Sequence, residues 1–294
     1  MSRRRDAILQ DLVRERNRAA QLERERTDVL ARIASLRVEL EAASTETQAV
    51  SLVLFDEIPR TPSEKVKLFR SLFRGRPDVF PTRFVSRKTG KAGYAPACGN
   101  KFKPGLCGLM TGGKCGDCSN QAFVPVDDRM ILDHLRGKHV MGVYPLLEDE
   151  RCWFLAVDFD GTGWEEDVAA FVEACRSAGV RVAIERSRSG NGAHAWFFFA
   201  APILAMTARE MGCYLITETM SHRHEMRMSS YDRLFPSQDT MPRGGFGNLI
   251  ALPLQREPRE HGNTVFVDEY FEPFSMGVSC IRSANRATNR RRHR

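Results

Sequence analysis

The chain of 294 residues lacks any apolar run approaching the roughly 20 residues that span a bilayer; stretches such as Ala195–Pro202 fall far short. Its first residues read Met-Ser-Arg-Arg-Arg-Asp, without the apolar core of a secretory leader. A membrane protein and a secreted one are therefore not expected, and a cytoplasmic location is. No internal repeat is visible, and no helicase phosphate loop of the form Gly-x4-Gly-Lys-Ser/Thr occurs. Acids are absent from Cys280 to Arg294, which holds six arginines (Arg282, Arg286, Arg290, Arg291, Arg292 and Arg294). The formal charge of +7 thus sits almost wholly in that tail and leaves about +1 for the rest. A basic tail with non-specific attraction to nucleic acid follows; a basic body does not.

With 42% apolar and 28% charged residues, the remainder has the composition of an ordinary globular protein, long enough for one large domain or two small ones. Residues 1–44 contain neither Gly nor Pro. Apolar side chains there recur at a 3-4 spacing (Ile8, Leu12, Ala19, Leu22, Val29, Ile33, Leu36, Leu40), with Glu15 and Arg26 breaking the heptad. This predicts a long coiled-coil helix, able to pair with itself, with a partner, or with the body. Residues 45–61 read as a linker ending in Ile58-Pro59 and Thr61-Pro62. A folded body begins near 62, where Glu64 and the apolar Val66, Leu68, Phe69, Leu72 and Phe73 mark an amphipathic helix; Ser63 with Val66 is no strict capping box.

In a reducing compartment the eight cysteines are expected as thiols or metal ligands. Cys98, Cys107, Cys115 and Cys118 fall within 21 residues, in a segment of about 94–121 rich in Gly and Lys. Four sulfurs in that compass suit structural Zn²⁺, with His134 or His139 as possible substitutes for one of them. Lys101, Lys103 and Lys114 beside them are candidates to touch template phosphates. Cys152, Cys175 and Cys213 fall on apolar faces and are expected in the core, as are Phe197, Phe198 and Phe199.

From Cys152 the pattern becomes strand (152–160), helix (164–178), strand (181–186), Gly loop, strand (193–200), then a helix over about 207–226 and short strands near 248–252 and 264–267. This order predicts an α+β fold with an antiparallel or mixed sheet. Asp158 and Asp160 end the first strand on one face, roughly 6 to 7 Å apart, as hard ligands for Mg²⁺ or Mn²⁺ would be. In Glu185-Arg-Ser-Arg-Ser-Gly-Asn-Gly-Ala-His194, two glycines allow a tight turn presenting its N–H groups. Arg186, Arg188, Ser189 and His194 surround that turn with phosphate donors. His194 opens an apolar strand and needs a partner there.

Asp158-Phe-Asp160, Ser189-Gly-Asn-Gly-Ala-His194 and the later acid of Ser230-Tyr-Asp232-Arg-Leu-Phe-Pro-Ser-Gln-Asp239 resemble the three motifs of the archaeo-eukaryotic primase superfamily. Lys67-Leu-Phe-Arg-Ser-Leu-Phe-Arg-Gly-Arg76, Gly142-Val-Tyr-Pro-Leu-Leu147 and Gly244-Gly-Phe-Gly-Asn-Leu-Ile-Ala-Leu-Pro-Leu-Gln255 resemble the primase domain of TOTE conflict systems, a likeness covering about 62–273. Residues 274–294 are the basic tail. The resemblance implies a catalytic core related to the RNA-recognition fold (β-α-β-β) with a zinc-knuckle insertion. It implies template-directed nucleotidyl transfer by two Mg²⁺ or Mn²⁺ ions on Asp158, Asp160 and Asp232, with Asp239 the alternative third acid. Arg188, Ser189, Asn191 and His194 would hold the incoming NTP or dNTP, and DNA or RNA would serve as template and primer. Helicase and nuclease partners in a mobile-element conflict or defence setting are implied as well. The competing expectations are a catalytically inactive nucleic-acid-binding module using the zinc loop and tail, and a two-metal nuclease; the latter leaves the Gly-His hairpin without a purpose.

Overall fold

The computed structural model describes Pro59, residues 61–86, 89–221 and 230–274, and scattered positions between 11 and 35. The linker at 45–58, the end of the 207–226 helix with His222 and His224, and the basic tail lie outside these residues. The chain divides into two compact units, Met1–Ile58 and Pro59–Arg294. In the first, every described position is helical and exposed, Leu22 included. Among the described residues no helix is long and apolar enough to cross a membrane.

The second unit opens with α1, Pro62–Leu72. Its start is a capping box, but in a different frame from the Ser63 considered above. The Thr61 hydroxyl accepts from the Glu64 N–H (3.2 Å), and the Glu64 carboxylate accepts from the Thr61 N–H (3.1 Å), with Pro62 at the first helical position. A hairpin of β1 (Pro81–Val85) and β2 (Ala92–Pro96) follows, then the cysteine loop, α2 (Asp128–Leu135) and β3 (Gly142–Val143).

Next come β4 (Arg151–Asp160), α3 (Trp164–Ser177), β5 (Ala183–Arg186), β6 (Gly192–Leu204), α4 (Ala205–Ser221) and β7 (Tyr231–Phe235). The chain ends in β8 (Ile250–Ala251), which pairs with β3, the short α5 (Arg256–Glu260) and β9 (Phe266–Val267). The main sheet has the order β7-β4-β6-β5-β9, every neighbouring pair antiparallel. An α+β chain with an antiparallel sheet is thus what the sequence produces; β6 runs four residues beyond the expected end at Ala200.

Side chains alternate across β4 and β6, so the two faces differ. Odd positions point toward α3: the Phe171 ring lies 5.4 Å from Phe159 and 6.0 Å from Phe197. Even positions point the other way, where Phe73 after α1 meets Trp196 (5.0 Å, 86°) and Phe198 (5.4 Å, 84°) edge to face. β4 from Cys152 to Val157 is buried on both faces apart from the half-buried Trp153, because helices cover one and the α1–α2 layer covers the other. Of the cysteines expected in the core, Cys152 and Cys175 are buried, but Cys213 is exposed on α4. The apolar neighbours of Cys213 in sequence alternate around a helix that buries only one side.

Candidate functional site

Cross-strand register, invisible in the sequence, assembles one transverse row on the even face. Arg233 of β7 lies opposite Asp158 of β4, Asp158 opposite His194 of β6, and His194 opposite Glu185 of β5. With His194 protonated, the charges in this row alternate in sign. His194 Nδ1 is 2.7 Å from Glu185 Oε2 and its Nε2 is 3.5 Å from Asp158 Oδ1. The indole N–H of Trp196 donates to the same Glu185 oxygen at 3.0 Å. Glu185 is 1% exposed, so it is a buried carboxylate whose two donors replace the water it has lost. Its place beside His194 is not singled out by the sequence; the signal available is an acid just before the first arginine of the Gly loop, one β-turn away from a histidine on the paired strand.

Asp232, the first candidate for a third acid, sits at an irregularity. Asp158 pairs with Arg233, yet Phe159 pairs with Tyr231, so Asp232 is the extra residue of a bulge between them. A bulge of this kind re-aims a side chain out of the regular alternation. Asp232 is tied to Arg233, whose Nε and Nη2 both lie 2.6 Å from Oδ2. The entry to β7 is anchored from α3, where buried Asp167 accepts from both the N–H (3.2 Å) and hydroxyl (2.7 Å) of Ser230.

Electrostatics register this convergence. Burial pushes the Asp158 carboxyl up; His194 pulls it down, and the Asp232 and Asp160 carboxylates push it up further. Burial alone would hold the His194 imidazole down, but the charge and hydrogen bond of Glu185, with Asp158 and Asp160, leave it raised. Asp239, the alternative third acid, is paired with Arg209 of α4.

The Gly loop joins this row to its surroundings. Gly190 has φ +78, the left-handed region that favours glycine, and a Cβ there would sit 2.9 Å from the Asn263 side chain. Gly192 lies opposite Asp160, and a Cβ on it would come within 2.4 Å of the Phe159 carbonyl oxygen. The Asn191 N–H donates to the Ser189 hydroxyl (3.2 Å), which is also 3.0 Å from the Ser187 hydroxyl. Arg188 reaches Gln255 Oε1 (3.4 Å) and Glu257 Oε2 (3.3 Å). Arg186, expected among the phosphate donors, instead donates to the carbonyls of Phe271 (2.6 Å) and Gly262 (3.4 Å) and serves the fold.

Cys98, Cys107, Cys115 and Cys118 line a common small cavity of about 20 Å³. Cys98 Sγ accepts from the Asn100 N–H at 3.4 Å. Burial pushes the Cys115 thiol up, and Cys107, Cys98 and Cys118 push it further, a mutual repulsion that a cation among the sulfurs would relieve. Lys101 is turned inward, donating to Thr82 Oγ1 at 2.9 Å, and so does not face a template. Neither histidine offered as a substitute ligand borders the cavity. His134 Nδ1 accepts from the Met141 N–H (3.0 Å) and Nε2 bonds the Pro253 carbonyl (2.9 Å), which uses both ring nitrogens. Among the described residues no three His, Cys, Asp or Glu are spaced to hold an ion as they stand. The donor types nevertheless fit: carboxylate oxygens for Mg²⁺ or Mn²⁺, sulfurs for Zn²⁺.

An antiparallel sheet whose even face brings acids from two strands to a histidine beside a glycine turn defines an α+β domain with an ionic site at one end of its sheet. The chain matches the TOTE conflict system, Archaeo-Eukaryotic Primase domain over residues 64–293, and it belongs to that family. The match runs past residue 273, through the segment assigned above to a separate basic tail. No curated protein matches the chain. Among solved structures it is distantly similar to the polymerase domain from Mycobacterium tuberculosis Ligase D in complex with DNA, at 13% identity and a TM-score of 0.39, over 78% of this chain and 88% of that one.

Proposed function

We propose that the chain is a primase-polymerase that adds NTP or dNTP to a primer or first nucleotide on a DNA or RNA template, its core related to the RNA-recognition fold. The observation that carries this is the row Asp158–His194–Glu185, with Asp232 delivered beside Asp158 by the β7 bulge. Two Mg²⁺ or Mn²⁺ ions held by Asp158, Asp160 and Asp232 would lower the pKa of the attacking hydroxyl and offset charge on the triphosphate. Glu185 fixes the imidazole by its Nδ1 side, leaving Nε2 as the N–H directed toward the acids, where phosphate oxygens would lie. Because Glu185 also favours the imidazolium, His194 presents a positive donor to those oxygens. Ser189, Asn191 and Arg188 flank the same turn with a hydroxyl, an amide and a guanidinium.

Cys98, Cys107, Cys115 and Cys118 would hold a structural Zn²⁺ that fixes a loop with little core of its own. The helix of the first unit would serve coiled-coil association with itself or a partner, and helicase and nuclease partners of a conflict or defence locus are part of the same reading. A silent nucleic-acid-binding module would have no use for a buried Glu185 spent on orienting a histidine.

Template-dependent incorporation, assayed with Mg²⁺ or Mn²⁺, with each nucleotide type and with or without a primer, tests the reading. Asp158→Asn should reduce incorporation by several orders of magnitude while its thermal midpoint stays at or above wild type, since one of several repelling acids is neutralised. Normal extension by that variant would overturn the assignment.

A further inference from the structure

Lys67 to Arg76 takes no part in the acid row, yet it forms one side of a concavity of about 540 Å³. The floor is apolar, with Phe69, Phe73 and Leu252, and Trp153 stands at the wall. The rim is basic. Arg70 and Arg76 are already spent: Arg70 on Asp128 (2.7 Å), Arg76 on Asp78 (2.6 Å) and Glu148 (2.9 Å). Lys67 and Arg74 are exposed and have no acidic partner among the described residues. The Arg74 guanidinium lies 4.2 Å over the Trp153 ring, a half-buried indole held flat by a cation. Trp153 falls where the β4–β6 register shifts, between Cys152 and Phe154, so it departs from the alternation of the rest of β4, and it precedes Asp158 by five residues, roughly 16 Å along an extended strand.

We infer that this groove binds single-stranded nucleic acid, one nucleobase stacking at Trp153 while Lys67 and Arg74 meet the flanking phosphates. The inference rests on the nucleic-acid partner of the proposed function and names where the strand runs before it reaches the acids. Lys67, with no acidic partner among the described residues, and an Arg74 guanidinium that covers one face of Trp153 while keeping its N–H edge for a phosphate are complementary to a strand whose bases offer flat apolar faces to the rest of that indole. A protein partner's acidic segment would use the cations and leave the ring without a stacking role. Duplex DNA keeps its bases stacked on one another and so cannot use it either.

Fluorescence anisotropy with a labelled oligo-dT 20-mer and with a duplex of matched length, across a salt series, reads the inference. Trp153→Ala should weaken single-strand binding roughly 5- to 150-fold, the range stacking supplies, and duplex binding far less. The double variant Lys67→Gln, Arg74→Gln should flatten the salt dependence by about 1.4, or 0.7 for each phosphate no longer neutralised. Arg74→Gln and Trp153→Phe, changes at exposed or half-exposed positions, carry the test if Trp153→Ala melts early. Single-strand binding unchanged in all groove variants, alongside robust incorporation by wild type, overturns the groove and leaves the proposed function standing. Absent incorporation with groove-dependent binding does the reverse. Equal losses for strand and duplex would also overturn the inference, because they would make the groove a duplex site.

Discussion

His134 fastens α2 to the chain entering β3 and to the segment after β8, and its environment makes acid stability predictable. The ring is fully buried, accepts at Nδ1 from Met141 and donates from Nε2 to Pro253. Burial, with His139, Arg188 and Arg259 adding repulsion, outweighs the Pro253 hydrogen bond and lowers its pKa from 6.5 to about 4. The sign follows from which state binds the proton. The unfolded chain takes it up near 6.5, the folded one not until about 4. The contribution of neutral His134 is therefore intact above 6.5 and is lost as pH falls toward 4. Between pH 7.5 and 4.5 that loss is about 2.5 kcal/mol, roughly 5–10 °C in midpoint for a unit of this size.

Carboxylates also titrate in that window, so the informative quantity is a difference between proteins. His134→Gln can satisfy Met141 or Pro253 but not both, which costs about 1–3 kcal/mol at pH 7.5. At pH 4.5 the gap between wild type and variant should have closed by about 2.5 kcal/mol. Thermal melts of both proteins at the two pH values, with and without a zinc chelator, provide the measurement. A gap that does not change with pH refutes the reasoning, as does a ring proton titrating near 6.5 by NMR. Closure of the gap only in the absence of chelator would return His134 to the zinc site from which its hydrogen bonds exclude it.

Two further outcomes concern the site itself. Glu185→Gln keeps the shape but removes the charge that orients His194, so incorporation should fall roughly 10- to 100-fold, as for residues supporting a ligand from behind; wild-type kinetics in this variant would leave Glu185 a purely structural residue. For the cysteine loop, metal analysis should find one Zn²⁺ per chain. Cys115→Ser or chelation should raise amide exchange across 98–121 while leaving β4 and β6 protected, and a chain that carries no zinc and exchanges identically with the serine would defeat the Zn assignment.

Alternation and glycine made much of this architecture readable. β4, α3, β5 and the Gly loop could be placed because apolar residues repeat every two positions in one and every three or four in another. Asp158, Asp160 and His194 stood out because ionisable groups at the mouth of apolar strands are costly without a purpose. What stayed hidden depends on pairing. Glu185 and His194 are nine positions apart and acquire meaning only from register. Asp232 and Asp239 look alike in sequence; a bulge turns one to Asp158, and an arginine on α4 ties up the other. On charge alone Arg186 and Lys101 look like phosphate donors, whereas carbonyls and a threonine hydroxyl occupy them. Composition can say that a cation is present, but not what it already touches.

The even face of the sheet explains why these pieces cohere. Along β4 and β6 its positions change from Phe154, Trp196 and Phe198 to Asp158, His194 and Asp160, so one half is an aromatic pack under Phe73 and the other is ionic. Trp196 belongs to both halves, since its ring is wedged against Phe73 and Phe154 while its N–H holds Glu185. A rotamer change at Glu185 would therefore have to break a hydrogen bond to an indole that cannot itself move. Burial of aromatics far from the acids thus becomes angular precision at His194, which is what the phosphate-binding role proposed for it would require.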